Sequence, residues 1–176
     1  MSQQLILTIL SASVVAALVA GAFTLVVNRN EYANEYYKTV VARRVHAYEM
    51  VEALIVELRT SVIGEEDNRP YHLVFSSEEK GFDQVFALLH QAMSEGLWLS
   101  DEIFEKVRDL NYLVFHVTKP SSVIAFGKEN YQRIATLRAE LERLVARDMM
   151  TLHKVKKFLA SKNRPDAGFH AVHLKR

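Results

Sequence analysis

Leu5–Val27 reads LILTILSASVVAALVAGAFTLVV and constrains this chain more than any other stretch. It has 23 residues without charge or proline, and its only polar side chains are Thr8, Ser11, Ser13 and Thr24. About 20 apolar residues carry a helix across a bilayer. A backbone in lipid must also satisfy its own hydrogen bonds. The run is therefore expected to be a transmembrane helix, with residues 1–28 as the anchor.

A cleaved signal peptide is the competing reading, since Ala20-Gly21-Ala22 has the small-x-small form of a cleavage site. Three features favour the anchor. Met1-Ser2-Gln3-Gln4 carries no Lys or Arg. The run exceeds the roughly 7–15 residues of a signal core. It also continues past the small residues through Phe23, Leu25, Val26 and Val27. The basic flank lies on the C-terminal side, at Arg29, Lys38, Arg43 and Arg44. Basic flanks stay cytoplasmic. The expected location is the inner (plasma) membrane, single-pass, with the N-terminus outside and the following domain in the cytoplasm. The absence of cysteine agrees with a reducing compartment.

Ser13, Ala17 and Gly21 recur every fourth residue, and Ala12, Ala16 and Ala20 form a parallel row. Small rows let helix backbones approach closely in lipid. They make anchor self-association, and hence a homo-oligomer, the expectation.

Beyond the anchor the pattern is all-α. The chain has only 6 Gly and 3 Pro, so few breaks are available. Residues 29–161 read as a cytoplasmic helical domain and 162–176 as a basic flexible tail. Tyr32, Tyr36 and Tyr37, mixed with Asn28, Asn30 and Asn34, suit a headgroup belt. Val41, Val45, Tyr48, Val51, Ile55, Leu58 and Val62 then form one coiled-coil-like apolar stripe. They predict a helix from about Asn30 to Ile63, roughly 50 Å long and stopped by Gly64.

Glu65-Glu66-Asp67-Asn68-Arg69-Pro70 reads as a solvated turn, because its acids lack the alternation of a calcium loop. Ser76 and Glu79 fit a capping box for a helix burying Phe82, Val85, Phe86, Leu89 and Met93. Gly96 ends it, and Trp98 is expected to plug the core. Ser100-Asp101-Glu102 caps a third helix with Ile103, Val107, Leu110 and Val114 inward, broken by Thr118-Lys119-Pro120. The last helix starts between Ser122 and Lys128. Its stripe is Ile134, Leu137, Leu141, Leu144, Asp148, Leu152, Val155 and Leu159. Asp148 interrupts that stripe, and the expectation is that Val145 and Met149 take over while Asp148 lies at the edge. Two long antiparallel helices thus bracket a short helical hairpin.

From Arg147 onward the sequence has eight basic residues and two acids. Lys154, Lys156, Lys157, Lys162, Arg164, Lys175 and Arg176 are the expected membrane-surface cluster, since the cytoplasmic leaflet is anionic. Nucleic acid is not the expected partner: overall charge is balanced at 22 basic and 21 acidic residues, and the tail has only Phe169 for stacking.

No GxGxxG, phosphate-binding loop, GxSxG or HExxH spacing occurs. Without cysteine there is no thiol nucleophile. His46 and Glu49 suit a surface pair, and His170 and His173 lack a third ligand. No catalytic, cofactor-binding or metal site is expected, and no enzyme. Val56-Glu57-Leu58-Arg59-Thr60-Ser61 resembles the phospho-acceptor segment of sensor histidine kinases. Val56 stands where the acceptor histidine would be, and no ATP-binding motif follows, so the resemblance implies no kinase activity here.

The expected function is a membrane-anchored, non-catalytic interaction or scaffold module that self-associates and docks a cytoplasmic protein through the Gln84–Val117 hairpin. The alternative is a membrane-targeting effector whose anchors assemble to permeabilise the bilayer.

Overall fold

The computed structural model describes residues 3–115 and 122–162, with side chains described at 20, 21 and from 23 onward. The chain divides into two compact units, Met1–Val40 and Val41–Arg176.

In the first unit the described structure is helix alone. Helix α1 spans Gln3–Glu57 and so includes the whole 23-residue run. Thr24 and Thr39 donate their hydroxyls to the carbonyls of Ala20 (2.8 Å) and Glu35 (3.0 Å), so neither competes with the helix. Among the described residues no helix is long and apolar enough to cross a membrane. Of the expected span, the side chains of 5–19 and 22 are not described.

The second unit continues through β1 (Ser61–Ile63), β2 (Pro70–His72), a 3-10 turn (Leu73–Ser77), α2 (Glu79–Ser94), a second 3-10 turn (Gly96–Trp98), α3 (Asp101–Phe115), α4 (Val123–Met149) and α5 (Val155–Ala160). It is mostly helical, as the sequence pattern implies. On α1, Tyr48, Val51 and Ile55 are buried as the stripe requires, joined by Ala47 and Leu54, and Leu58 is buried just past the end of the helix. They meet Val85 and Leu89 of α2, Ile103, Val107, Leu110 and Val114 of α3, and Ile134, Leu137, Leu141 and Leu144 of α4 in one core. Cross-links fix the direction of α1 against α4. Arg59 pairs with Glu142 and Tyr48 with Asp148, so one number falls as the other rises and the two helices run antiparallel.

Helix α1 ends at Glu57 rather than continuing to Ile63. The β-branched Val62 and Ile63 join an antiparallel hairpin instead, in the register Ser61↔His72, Val62↔Tyr71, Ile63↔Pro70. Gly64 is not a helix stop. It closes the hairpin, its N–H donating to Arg69 O (2.9 Å) and its carbonyl accepting from Asn68 N–H (3.0 Å).

The expected capping box does not form. Ser76 lies inside the 3-10 turn, and α2 starts from Glu78 at φ 51° with no side-chain cap. The cause is a close approach. A Cβ on Gly81 would stand 1.7 Å from the Val74 carbonyl oxygen, so the chain folds back too tightly for a standard helix entry. By contrast, Ser100 Oγ accepts from Ile103 N–H (3.4 Å) and Ser122 Oγ from Ala125 N–H (3.3 Å), capping α3 and α4 as expected for these residue types.

On α2, Phe86 is exposed while Ala92 is buried. At the following corner Leu99, fully buried, fills the core, whereas Trp98 only packs against it. The expected break at 118–120 lies outside the described residues.

Candidate functional site

The last long helix is not continuous. Helix α4 ends at Met149, the chain turns, and α5 resumes at Val155. The Thr151 N–H donates to Asp148 O (2.9 Å), and the Leu152 carbonyl is taken by an arginine of α1. Phe158 is buried in α5, while Leu159, expected inward, is 42% exposed.

The arginine is Arg44, and it organises a polar latch. Arg44 is only 3% exposed. Its Nη1 donates to Leu152 O (2.9 Å), its Nη2 lies 3.4 Å from the Tyr48 hydroxyl, and its guanidinium stacks 3.8 Å from the Phe158 ring centre. The Tyr48 hydroxyl donates to Asp148 Oδ2 (2.9 Å). Asp148 Oδ1 accepts from Arg147 Nε (3.0 Å), and Arg147 reaches Glu102 of α3 (2.7 Å). The latch thus joins α1, α3, α4 and α5.

Asp148 is not at the edge of its stripe. It is 7% exposed and faces α1, while Met149 points outward at 47%. A buried carboxylate needs partners, and Tyr48 and Arg147 provide them. Burial pushes the Tyr48 hydroxyl above its ordinary pKa, and the neighbouring Asp148 charge adds to this; Arg44 opposes both. Hydrogen bonds to Glu102 and Asp148 hold Arg147 even more firmly protonated. Arg44 Nε is buried without a hydrogen-bond partner among the described residues, and the Phe158 ring face offsets part of that cost. Its fixed planar fork suits this combined stacking and bonding, which a lysine could not reproduce.

A second buried polar group sits at the other end of α4. His72 is 1% exposed, 5.0 Å from Tyr131 and 6.4 Å from Phe75, centre to centre. Among the described residues, neither ring nitrogen makes a well-formed hydrogen bond. Desolvation lowers its pKa. Backbone groups of Leu58 and Tyr131 pull the other way, and the Arg138 charge reinforces the lowering.

The expected site residues are distributed as follows. Ser13 and Ala17 have no described side chains, while among the described residues nothing lies within 4 Å of a Cβ placed on Gly21. Lys154, Lys156 and Lys157 are exposed. Lys162 is not a free surface cation. It donates to the Leu99 carbonyl, pairs with Asp101 (3.3 Å) and lies 4.7 Å over Phe158, two residues past the end of α5. Arg164, Lys175, Arg176, His170 and His173 lie outside the described residues. Arg44, counted from sequence among the membrane-flanking cations, is buried instead. The cue was available: Arg44 and Tyr48 are one helical turn apart on α1, and Asp148 stands on the facing stripe.

His46 and Glu49 form an exposed pair at 3.6 Å. Asp67 of the acidic turn binds Lys128 (2.8 Å), which draws its carboxyl below the ordinary value. Among the described residues no group of three His, Asp or Glu could hold a metal ion. A groove of about 440 Å³ is lined by Gln132, Ala135, Thr136, Ala139, Glu140 and Arg143, all on α4, so it is a furrow along one helix without converging groups from elsewhere. Comparison with family models, with curated proteins and with solved structures finds no match.

Proposed function

We propose that the chain is a membrane-tethered helical module, single-pass with its second unit in the cytoplasm, that self-associates and docks a cytoplasmic protein. The observation that carries this reading is the bare apolar surface at the end of the uncharged run. Phe23, Leu25 and Val26 are 69, 73 and 59% exposed. Burying one such side chain is worth about 1.5–3 kcal/mol, so a row of them calls for an apolar phase around it. The exposed Tyr32 and Tyr36 follow, with exposed Arg29 and Lys38, in the order expected at a cytoplasmic headgroup layer.

Open space at Gly21 supports close approach by a second anchor. On the hairpin, the exposed rings of Phe86 and Phe115 stack at 6.2 Å and support docking there. Phe86→Glu should abolish partner capture without affecting insertion; unchanged capture would remove this surface from the account.

The test is alkaline extraction of the full-length protein from bacterial membranes, combined with protease access to a C-terminal tag. The reading predicts that the protein stays with the membrane and that the tag is cut only after the cells are opened. Release by alkali, or a mature chain starting near Phe23, would overturn it.

A further inference from the structure

The surface around α5 carries chemistry that the latch does not use. From Met149 to Lys162 the sequence has four lysines and no acid. Lys154, Lys156 and Lys157 are exposed and form no ion pair among the described residues. The acids of the latch and the neighbouring Asp101 are already engaged: Asp101 by Lys162, and Glu102 and Asp148 by Arg147. Burial of Val155 and Phe158 fixes the inward side of α5, which leaves its lysines outward. Two apolar side chains of the same segment are also exposed, Met150 at 73% and Leu159 at 42%.

Cations interleaved with exposed, flexible apolar side chains suit a lipid–water interface. Phosphate headgroups attract the lysines, and the methionine and leucine gain by entering the acyl boundary. We propose that Met150, Lys154, Lys156, Lys157 and Leu159 form a docking surface for anionic phospholipid. The proposal rests on the tether reading in one respect: a tethered domain always has lipid at high effective concentration. Nucleic acid fits less well, because Phe158, the aromatic ring of α5, is buried and unavailable for stacking on bases.

The test uses the full chain in nanodiscs of phosphatidylcholine, with or without phosphatidylglycerol. Since the protein has no cysteine, Met150→Cys carries a single fluorophore, and a lipid-borne quencher reports contact. Each lysine near an anionic surface contributes roughly a fivefold bias. Quenching should therefore be several-fold greater in anionic discs, fall in high salt, and disappear in Lys154→Glu/Lys156→Glu/Lys157→Glu. The control Lys80→Glu/Arg108→Glu/Arg133→Glu makes the same charge change on other exposed positions and should keep the response. Equal quenching in both discs, survival in the first triple variant, or preferential binding of single-stranded RNA would overturn the proposal. A probe at Val14→Cys separates the two readings. Quenching at 14 without quenching at 150 refutes the lipid surface alone, whereas no quenching at 14 refutes the tether.

Discussion

At the start of α4, Phe126 meets Phe75 edge-on at 5.6 Å and Phe82 at 5.9 Å, and Gly127 lets the Phe75 ring come so close that a Cβ would lie 2.9 Å from it. At the far end of the same helix, roughly 30 Å away at 1.5 Å per residue, Asp148 is held by Tyr48 and Arg147, with Arg44 behind Tyr48 and stacked on Phe158. One end is held by ring faces and missing Cβ atoms, the other by charge and hydrogen bonds. Shape fixes the first end and tolerates no added volume. The second end is sensitive to a lost partner, because each buried polar group there depends on the next.

The sharpest way to break the first end is Gly81→Ala. Its Cβ would collide with the Val74 backbone, and thermal unfolding of the full chain in detergent should show a loss of about 3 kcal/mol or more. Gly21→Ala, in open space, should leave that transition in place. At the polar end, Asp148→Ala should cost about 2 kcal/mol by leaving the buried Tyr48 hydroxyl without its acceptor. Arg44→Met combined with Asp148→Leu should cost less than the sum of the single changes, because it removes buried charge from both sides.

His72 adds a pH signature to the apolar end. Its folded-state pKa is lowered, so the unfolded chain binds the extra proton first. Its contribution to stability is intact above the unfolded histidine value, about 6.5, and is lost as pH falls below that value toward the folded-state pKa. Unfolding curves between pH 7.5 and 5 should show this decline, and His72→Phe should flatten it; an unchanged slope would rule His72 out as its source. Smallest of all, Arg59→Ala removes an exposed link to Glu142 and should change stability by no more than about 0.5 kcal/mol in the same assay.

Helical periodicity made much of the fold legible. The stripes of α1, α3 and α4 are buried almost as spaced, because apolar burial follows the helix period. The hairpin was missed because Val62 continues the α1 stripe in register, and pairing with Tyr71 cannot be read from a local window. The end of α4 was missed for a related reason. Leu152 and Val155 stay buried across the turn, so the pattern looks continuous where the helix is not. The latch was hidden because a sequence stripe gives positions and not partners. Arg44 looked like a flanking cation and Asp148 like an edge residue; they meet through Tyr48, with Leu152 O and Phe158 completing the surroundings of Arg44 and Arg147 those of Asp148.

That meeting is best tested by a double-mutant cycle of Tyr48→Phe and Asp148→Ala, read from unfolding of the full chain followed by Trp98 fluorescence. The account predicts a coupling of about 1–3 kcal/mol between the two positions. Additive losses, within about 0.5 kcal/mol, would contradict the claim that the end of α4 is held to α1 through the buried Tyr48–Asp148 contact.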